Sequence, residues 1–262
     1  MERREFLFTS GAAGLGFAAA ANAADEAKPQ RDLFLMQIYH LFPGDKRKML
    51  HAAFRDGIVP AANRAGLSPV GVFEPVHGAD SLSLYALFPF KSFDEGMAAM
   101  MRTAQDPGFK AAAAPVHNSP LSDLPYGRIE SSLLLAFATM PKVEIPALTT
   151  EKKSRIFEMR IYESHTQPAA VRKVEMFEKG GELAIFRKTG LQPVFFAQTL
   201  IGQRMHNLTY MLVFEDYAAR EKAWKAFGED PDWVKLRQDP YYADTVSNIT
   251  DIILRPTDYS QI

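Results

Sequence analysis

Cysteine is absent from the 262 residues of the chain. Disulfide bonds, thiolate nucleophiles, cysteine-ligated zinc and iron–sulfur clusters are therefore excluded. A chain without cysteine can also fold in a reducing compartment and then work in an oxidising one, because it has no thiols to oxidise.

An excess of one charge is also lacking, because 30 Lys and Arg residues face 31 Asp and Glu residues, for a formal net charge of −1. A nearly neutral chain has no electrostatic case for binding nucleic acid or an anionic membrane. No apolar run after the N-terminal segment reaches the roughly 20 residues that a membrane-spanning helix needs. We therefore expect a processed chain that is soluble and is not inserted in a membrane.

Several catalytic sequence motifs are missing as well. The chain has no Walker loop, no nucleophile elbow and no histidine pair at a metal-ligand spacing such as H-x-x-x-H. The sequence therefore predicts no cofactor and no metal, and a haem iron or another metal held by His40 and His165 stays an alternative.

Residues 1–23 have the composition of a secretory signal peptide. Arg3 and Arg4 precede a short Gly/Ala-rich stretch, and Ala21-Asn22-Ala23 forms a small-x-small cleavage site. The paired arginines predict twin-arginine export of an already folded protein, with the export machinery as a partner and the periplasm as the destination. An uncleaved N-terminal anchor is the alternative, but the apolar run is too short to span a membrane.

The rest of the chain repeats one pattern twice. The second occurrence follows the first by about 124 residues, as from Gly66 to Gly190. The recurring blocks are Leu33–Tyr39 with Ile156–Tyr162, Gly66–Val70 with Gly190–Val194, Ser83–Phe88 with Thr209–Phe214, Asp106–Phe109 with Asp230–Trp233, and Arg128–Leu135 with Ser247–Leu254. The pattern predicts two repeats at 31–140 and 154–262, joined by a polar linker at 141–153.

Each repeat is predicted to fold as strand, helix, strand, strand, helix, strand, which is the ferredoxin-like βαββαβ unit. Ser92 and Asp216 are the expected N-caps of the second helix in each repeat, and an Asp-Pro pair starts the turn that follows it. Helices cover one face of such a sheet, so the other face needs cover too. Two sheets closing face to face give an α+β barrel, a pseudo-dimer within one chain.

Apolar residues on the second helix of each repeat predict its packing face. The stripe of the first repeat is methionine-rich, and that of the second contains a tryptophan. We expect both stripes to belong to the core, with Trp224 and Trp233 anchoring helix and turn to the sheet. The stripe of the first repeat consists of Phe93, Met97, Met100 and Met101.

The second repeat carries a more specific set of motifs. Its opening strand reads Phe157-Glu158-Met159-Arg160-Ile161-Tyr162, a helix contains Arg220-Glu221 and Trp224, and the next turn reads Asp230-Pro231-Asp232-Trp233. These motifs resemble the NIPSNAP family, a branch of the dimeric α/β-barrel superfamily. The resemblance implies the fold but not an activity, because that superfamily includes monooxygenases, haem-degrading enzymes, isomerases, decolorising peroxidases and non-enzymatic proteins.

Three residues of the opening strand of the second repeat, Glu158, Arg160 and Tyr162, share one face. We expect this to be the barrel interior, where Arg160 would act as an anion clamp or electrophile for an anionic or phenolic ligand. Tyr39 and Gln37 hold the corresponding positions of the first repeat. The alternative is a structural pair between Glu158 and Arg160.

His206 and Asn207 precede a strand of the second repeat. His206 is a candidate general base, and Asn207 is a candidate for orienting a ligand or an oxyanion. The alternative is an ordinary turn, in which asparagine is common. His40 and His165 follow the opening strands of the two repeats and are candidates to line one opening.

Two functional hypotheses remain open from the sequence. In the first, the protein binds a small, partly aromatic or anionic ligand in the barrel, or is an accessory protein. In the second, it is an enzyme of oxygenase or isomerase type that uses Arg160, Tyr162 and His206. An open cavity lined by Arg160 and Tyr162 favours the enzyme, whereas an interior filled by large side chains argues against it. The expected partners are a small molecule and a second copy of the chain, and not nucleic acid.

Overall fold

The computed structural model of the protein describes residues 30–76 and 82–262. The predicted signal peptide lies outside these residues. Within them, no helix is both long enough and apolar enough to cross a membrane.

The first half of the described chain contains four strands and four α-helices in the order predicted for one repeat. A π-helical turn at Phe54–Ile58 continues the first helix into the second. The elements are β1 Leu33–His40, α1 Asp45–Ala53, α2 Val59–Arg64, β2 Gly71–Pro75, β3 Ser83–Phe90, α3 Phe93–Gln105, α4 Pro107–His117 and β4 Arg128–Ala136.

The second half has the same order of strands and helical segments, after a short helix, α5 Ala147–Thr150. Helices α3 and α8 and their N-caps correspond at the 124-residue offset. The elements are β5 Ile156–Glu163, α6 Gln167–Glu178, α7 Glu182–Lys188, β6 Gln192–Ile201, β7 Asn207–Phe214, α8 Tyr217–Glu229, α9 Pro231–Leu236, a 3₁₀ turn Pro240–Tyr242 and β8 Asn248–Pro256.

The eight strands close into one antiparallel barrel in the order β1-β3-β2-β8-β5-β7-β6-β4. The halves are joined at two seams, where β2 pairs with β8 and β4 pairs with β6. Each of the eight strands in the described part of the chain therefore has a paired neighbour on both sides, and none is an edge strand. The sequence prediction of a mixed α/β barrel is therefore confirmed.

Side chains that the sequence identified as N-caps begin the helices. The Ser92 side chain accepts a hydrogen bond from Glu95 N at 3.3 Å, and Asp216 accepts one from Ala219 N at 2.8 Å. Asp106 and Asp230 cap α4 and α9, and the proline after each is the first helical residue, where its missing N–H has no cost. Local sequence therefore fixes where these helices start.

The barrel interior is apolar and filled at one end. Phe34 and Phe195 meet edge-on at 5.5 Å between ring centroids, and Phe73 and Phe157 meet at 5.0 Å. All four side chains are fully buried. The connecting segment 141–153 packs against this end, where Asp32 N donates to the Pro141 carbonyl at 2.8 Å.

Two further cores lie outside the barrel, one in each half, between the sheet and its helices. The apolar stripe of α3 differs from the prediction, because Phe93, Met97 and Met101 are exposed. The helix instead turns Gly96 and Ala99 towards the protein, since Gly96 lies against the ring of Phe90.

Candidate functional site

Strand β5 places its charged residues on the face opposite to the one predicted. Phe157 and Met159 point into the barrel, whereas Tyr162 packs in the core under α6–α8. Glu158 and Arg160 share the face of Tyr162, because side chains alternate along a strand. The expectation that these three residues line the barrel interior is therefore wrong.

Glu158 is the centre of a buried polar group that joins β5 to α8. Its carboxylate is fully buried and accepts hydrogen bonds from Arg220 Nε at 3.0 Å, Arg220 Nη2 at 2.7 Å and Trp224 Nε1 at 2.6 Å. Arg160 Nη1 lies 3.6 Å from Glu158 Oε1. Arg220 also reaches Asp251 of β8 at 3.0 Å. We call these five residues the Glu158 cluster.

Aromatic rings surround the guanidinium of Arg160. It lies 4.5 Å from the ring centroid of Trp224 and 5.4 Å from that of Tyr162. Burial opposes the charge, but the neighbouring phenol and carboxylate groups raise the pKa of Arg160 overall. The Tyr210 hydroxyl donates to the Tyr162 hydroxyl at 2.9 Å, and burial raises the pKa of Tyr162 to about 12.

A second buried ion pair lies in the same layer. Lys173 Nζ and Glu182 Oε2 are 2.7 Å apart, and both residues are almost completely buried. Glu158 and Lys173 are therefore each paired with a charged partner, which is the arrangement expected of a structural network, whereas Nε of Arg160 is buried without a hydrogen-bond partner among the described residues. A ligand-binding or catalytic role for Glu158, Arg160 and Tyr162 stays a prediction.

A cavity of about 280 Å³ opens at the other end of the barrel, where β1 ends and β4 and β7 begin. We call it the mouth cavity. Its floor is apolar and its rim is polar. The floor consists of Met36, Ile38, Tyr85, Leu134, Met159, Ile161 and Ile252, and the rim of His40, Arg128, Glu130, Ser132, Thr199, Gln203, Arg204, Asn207 and Thr209.

One side of the rim is a charged trio from β1 and β4. Glu130 Oε1 lies 3.0 Å from Arg128 Nε and 3.0 Å from His40 Nε2. Burial would raise the pKa of Glu130, but Arg128 and His40 hold it below its ordinary value. His40 Nδ1 lies 3.3 Å from the Ser83 hydroxyl. His40 thus lines this opening, but His165 does not.

Asn207 organises the other side of the rim. Its Nδ2 donates to the carbonyls of Gln203 at 2.8 Å and Arg204 at 2.9 Å, while its Oδ1 accepts from Thr199 at 2.5 Å. These bonds hold the β6–β7 loop, in which Arg204 has a φ of +56°. Asn207 is therefore a positioning residue for Arg204 as well as a wall of the cavity.

Arg204 itself faces a neutral partner. Its Nη1 donates to the Thr250 hydroxyl at 2.8 Å. The β6–β7 loop also lies close to β4, because Gly202 of the loop sits against Ser132. A Cβ at Gly202 would lie 2.5 Å from the serine oxygen. Glycine is required there by the close approach of the chain, not by an unusual φ.

The predicted histidines do not gather at one site. His165 is exposed in the turn before α6. The backbone carbonyl of His206 accepts a hydrogen bond from Ser164 N at 2.8 Å, and of the His206-Asn207 pair it is Asn207 that lines the mouth cavity. Arg160 and Tyr162 lie on the other face of the sheet, so the predicted catalytic trio does not share a cavity.

Sequence reasoning missed Arg128, Glu130, Gln203 and Arg204. The alternation of Arg128, Glu130 and Ser132 along β4 was a usable signal, because polar residues at every second position indicate a polar face. The loop residues gave no such signal. In the part of the chain described, no group of three or more His, Asp or Glu residues is placed to hold a metal ion.

Tyr39 and Gln37 lie on the outer face of β1, like their counterparts in β5. The Tyr39 hydroxyl donates to Gln37 Oε1 at 3.1 Å, and burial raises the pKa of Tyr39. Both residues line a separate cavity of about 270 Å³ between β1 and the helices of the first half. The layer between helices and sheet thus contains a cavity in the first half and a packed aromatic core in the second.

Comparison with solved structures supports the barrel. A candidate monooxygenase from Lactobacillus acidophilus is 8% identical, with a TM-score of 0.55 over 86% of this chain and 94% of that chain. A candidate monooxygenase from Fusobacterium nucleatum is 10% identical, with a TM-score of 0.55 over 87% and 93%. At these identities the likeness shows the fold alone.

Comparison by sequence identifies a family, whereas the structural matches show only the fold. A NIPSNAP-like domain protein from Burkholderia xenovorans is 23% identical and covers 40% of this chain and 88% of its own, with a TM-score of 0.36. No curated protein matches the chain. The sequence profile of NIPSNAP matches residues 34–124 and again residues 157–261, so most of the chain is accounted for. The protein is a member of the NIPSNAP family.

Proposed function

We propose that the protein binds a small amphipathic anion, an aromatic or alkyl carboxylate or phenolate, in the mouth cavity. The observation that carries this proposal is the polarity of the cavity, with an apolar floor inside the barrel and two guanidinium groups at the rim. Small-molecule sites commonly combine an apolar wall with a few placed polar groups.

The floor suits the apolar part of such a ligand. Met36, Leu134 and Met159 come from β1, β4 and β5 and meet inside the barrel. Methionine is unbranched and polarisable, so it adapts to rings and chains of different shape. The volume of about 280 Å³ lies just below the usual range of ligand sites, about 300–1,000 Å³, so the ligand is small.

Arg204 is the strongest anchor for the anionic part. Arg128 is already paired with Glu130, whereas the bond from Arg204 goes to the uncharged hydroxyl of Thr250. A hydroxyl does not neutralise the guanidinium, and Arg204 forms no ion pair with a carboxylate of residues 30–76 or 82–262, so this charge is available to a carboxylate or phenolate ligand. Asn207 holds the loop that presents it.

The binding hypothesis is favoured over the enzyme that the sequence suggested. That enzyme required Arg160, Tyr162 and His206 around one substrate, and the first two are packed under α6–α8 instead. The interior is also filled by phenylalanine at the closed end. The mouth cavity is open, but it is lined by other residues.

Phenylacetate is a suitable probe because it joins one ring to one carboxylate. In protein labelled with ¹³C at the methionine methyl groups, it should shift the signals of Met36 and Met159, assigned with single Met→Leu variants. Arg204→Gln should weaken binding at least tenfold, because the main anchor is lost.

Arg55→Gln is the matched control, since Arg55 pairs with Asp258 on the surface at 3.1 Å and should not affect binding. Unshifted Met36 and Met159 signals, or equal affinities for the wild-type protein and Arg204→Gln, would rule out the proposed site.

We propose further that residues 1–23 direct twin-arginine export and that the processed protein works in the periplasm. The paired Arg3 and Arg4 and the Ala21-Asn22-Ala23 site support this proposal. Mass spectrometry of periplasmic protein should give a chain that starts at Ala24, and Lys at both arginine positions should keep the protein in the cytoplasm.

The two halves are, in this proposal, tandem copies of one unit that form a pseudo-dimer. Separate matches of the family profile to each half and the shared order of elements support it.

A further inference from the structure

The layer between helices and sheet is filled in the second half and hollow in the first. The hollow is the cavity of about 270 Å³ beside Tyr39, walled by the outer face of β1 and by α1–α4. We call it the helix-layer pocket. It lies outside the barrel, separated by the sheet from the mouth cavity.

Residues at corresponding positions of α3 and α8 explain why the layer is hollow in the first half and filled in the second. At the 124-residue offset, Met100 and Thr103 of α3 correspond to Trp224 and Phe227 of α8. In the second half, Trp224 and Phe227 pack edge-on at 5.7 Å and both contact Phe186. In the first half, Met100 and Thr103 line the open space.

The π-helical turn at Phe54–Ile58 is a second difference between the halves. Ala53, directly before this turn, and Ile58, its last residue, line the pocket. The helical segment of the second half is instead divided into α6 and α7 at Gly180-Gly181. π-Helical turns inside helices occur often at functional sites.

The chemistry of the wall selects a neutral ligand. The pocket is lined by aliphatic and aromatic side chains with a few polar ones, and none of the described residues that line it is Lys, Arg, Asp or Glu. Tyr39 and Tyr126 meet edge-on at 5.7 Å, which gives an aromatic wall. Polar contacts are offered by the Tyr39–Gln37 pair, whose hydroxyl and amide are 3.1 Å apart.

An opening to solvent exists beside β4. Ile129 lines the pocket and is 38% exposed. The loop that carries Tyr126 bears two further exposed apolar residues, Leu121 and Leu124. A well-packed interior has few voids larger than a water molecule, so an apolar space of this size that opens to solvent is a place for a ligand.

We propose that the helix-layer pocket binds a neutral aromatic or alkyl-aromatic molecule with one hydroxyl or carbonyl group, as a second site independent of the mouth cavity. The ring lies among Tyr39, Met100 and Phe109, and the polar group bonds to the Tyr39–Gln37 pair. The two cavities thus differ in the charge they accept.

The test uses 2-phenylethanol, which has the ring of phenylacetate without its charge. In methionine-methyl-labelled protein, 2-phenylethanol should shift the signal of Met100 and leave those of Met36 and Met159 unchanged. This pattern differs from the one expected for phenylacetate, so failure of one site is distinguishable from failure of the other.

Two variants fill the pocket with the residues of the second half. Thr103→Phe and Met100→Trp should each weaken binding of 2-phenylethanol at least tenfold by calorimetry and leave phenylacetate binding unchanged. Arg204→Gln should instead weaken binding of phenylacetate and leave binding of 2-phenylethanol unchanged. If neither variant folds, the shift of the Met100 methyl signal in the wild-type protein on adding 2-phenylethanol still tests the proposal.

An unshifted Met100 signal at saturating 2-phenylethanol would overturn the proposal. Unchanged affinity in a folded Thr103→Phe or Met100→Trp protein would overturn it as well.

Discussion

At the scale of single residues, we predict that Glu158 of the family's strand motif acts on stability. Glu158 accepts three hydrogen bonds from Arg220 and Trp224 while fully buried. A buried carboxylate is tolerated only when it is paired, and its removal leaves its partners without an acceptor. The strand and helix motifs of the family thus meet in one contact.

Glu158→Gln should lower the free energy of unfolding by about 3–5 kcal/mol, because it removes the fully buried carboxylate charge that pairs with Arg220 and leaves Asp251 as the remaining counter-charge of that guanidinium. Urea unfolding measures the loss. Glu144→Gln is the matched control, since Glu144 and Arg187 form a pair of half-exposed side chains at 2.8 Å, for which about 0–1 kcal/mol is expected. Equal losses in the two variants would contradict a structural role for Glu158.

Asp251 makes stability depend on pH. Burial and the nearby charge of Glu158 raise the pKa of Asp251 from 3.8 to about 6. The folded protein therefore binds this proton more tightly than the unfolded chain, and its contribution to stability falls as pH rises from about 4 to about 6.

Asp251→Asn removes this titration. The stability of the variant relative to the wild-type protein should rise across the same pH window and stay level above it. Urea unfolding at half-unit pH steps from 4 to 8 measures the difference, and a flat or falling difference between pH 4 and 6 would show that the pKa is not raised.

At the scale of elements, sequence periodicity identified strands, helices and caps but not which face each turns inward. Alternation put Glu158, Arg160 and Tyr162 together correctly, yet both faces of the sheet are covered, so polarity alone did not show which one is the barrel interior. A charged residue can be buried under a helix when a partner such as Arg220 comes from that helix.

Helix α3 shows the same limit. Its methionine stripe was assigned to the core, but Met97 and Met101 are exposed and only Met100 of the three methionines lines a cavity. The packing face instead contains Gly96 and Ala99, because the helix lies close to the sheet and small residues fit there. Hydrophobicity predicts a helix face well only where the spacing between layers allows large side chains.

The whole molecule depends on closure between its halves. Seams between β2 and β8 and between β4 and β6 complete the barrel, and the chain supplies both sides of each seam. Either half alone would expose two strand edges and the apolar face of its sheet, which favours association.

Separate production of 30–140 and 141–262 tests this dependence. Each segment alone should form dimers or aggregates, whereas the two produced together should elute as a 1:1 complex with the mass of the whole chain. Stable monomers of either segment, measured by light scattering, would contradict the pseudo-dimer.

The sequence by itself determined the order of elements, the helix starts at Ser92 and Asp216, and the family, because each of these depends on residues close together in the chain. Only the tertiary structure decided the cavities. Arg128 and Arg204 come to one rim, and Tyr39 and Met100 to one pocket, through barrel closure and helix packing. Such contacts depend on which faces meet in space, and strand periodicity carries no information about that.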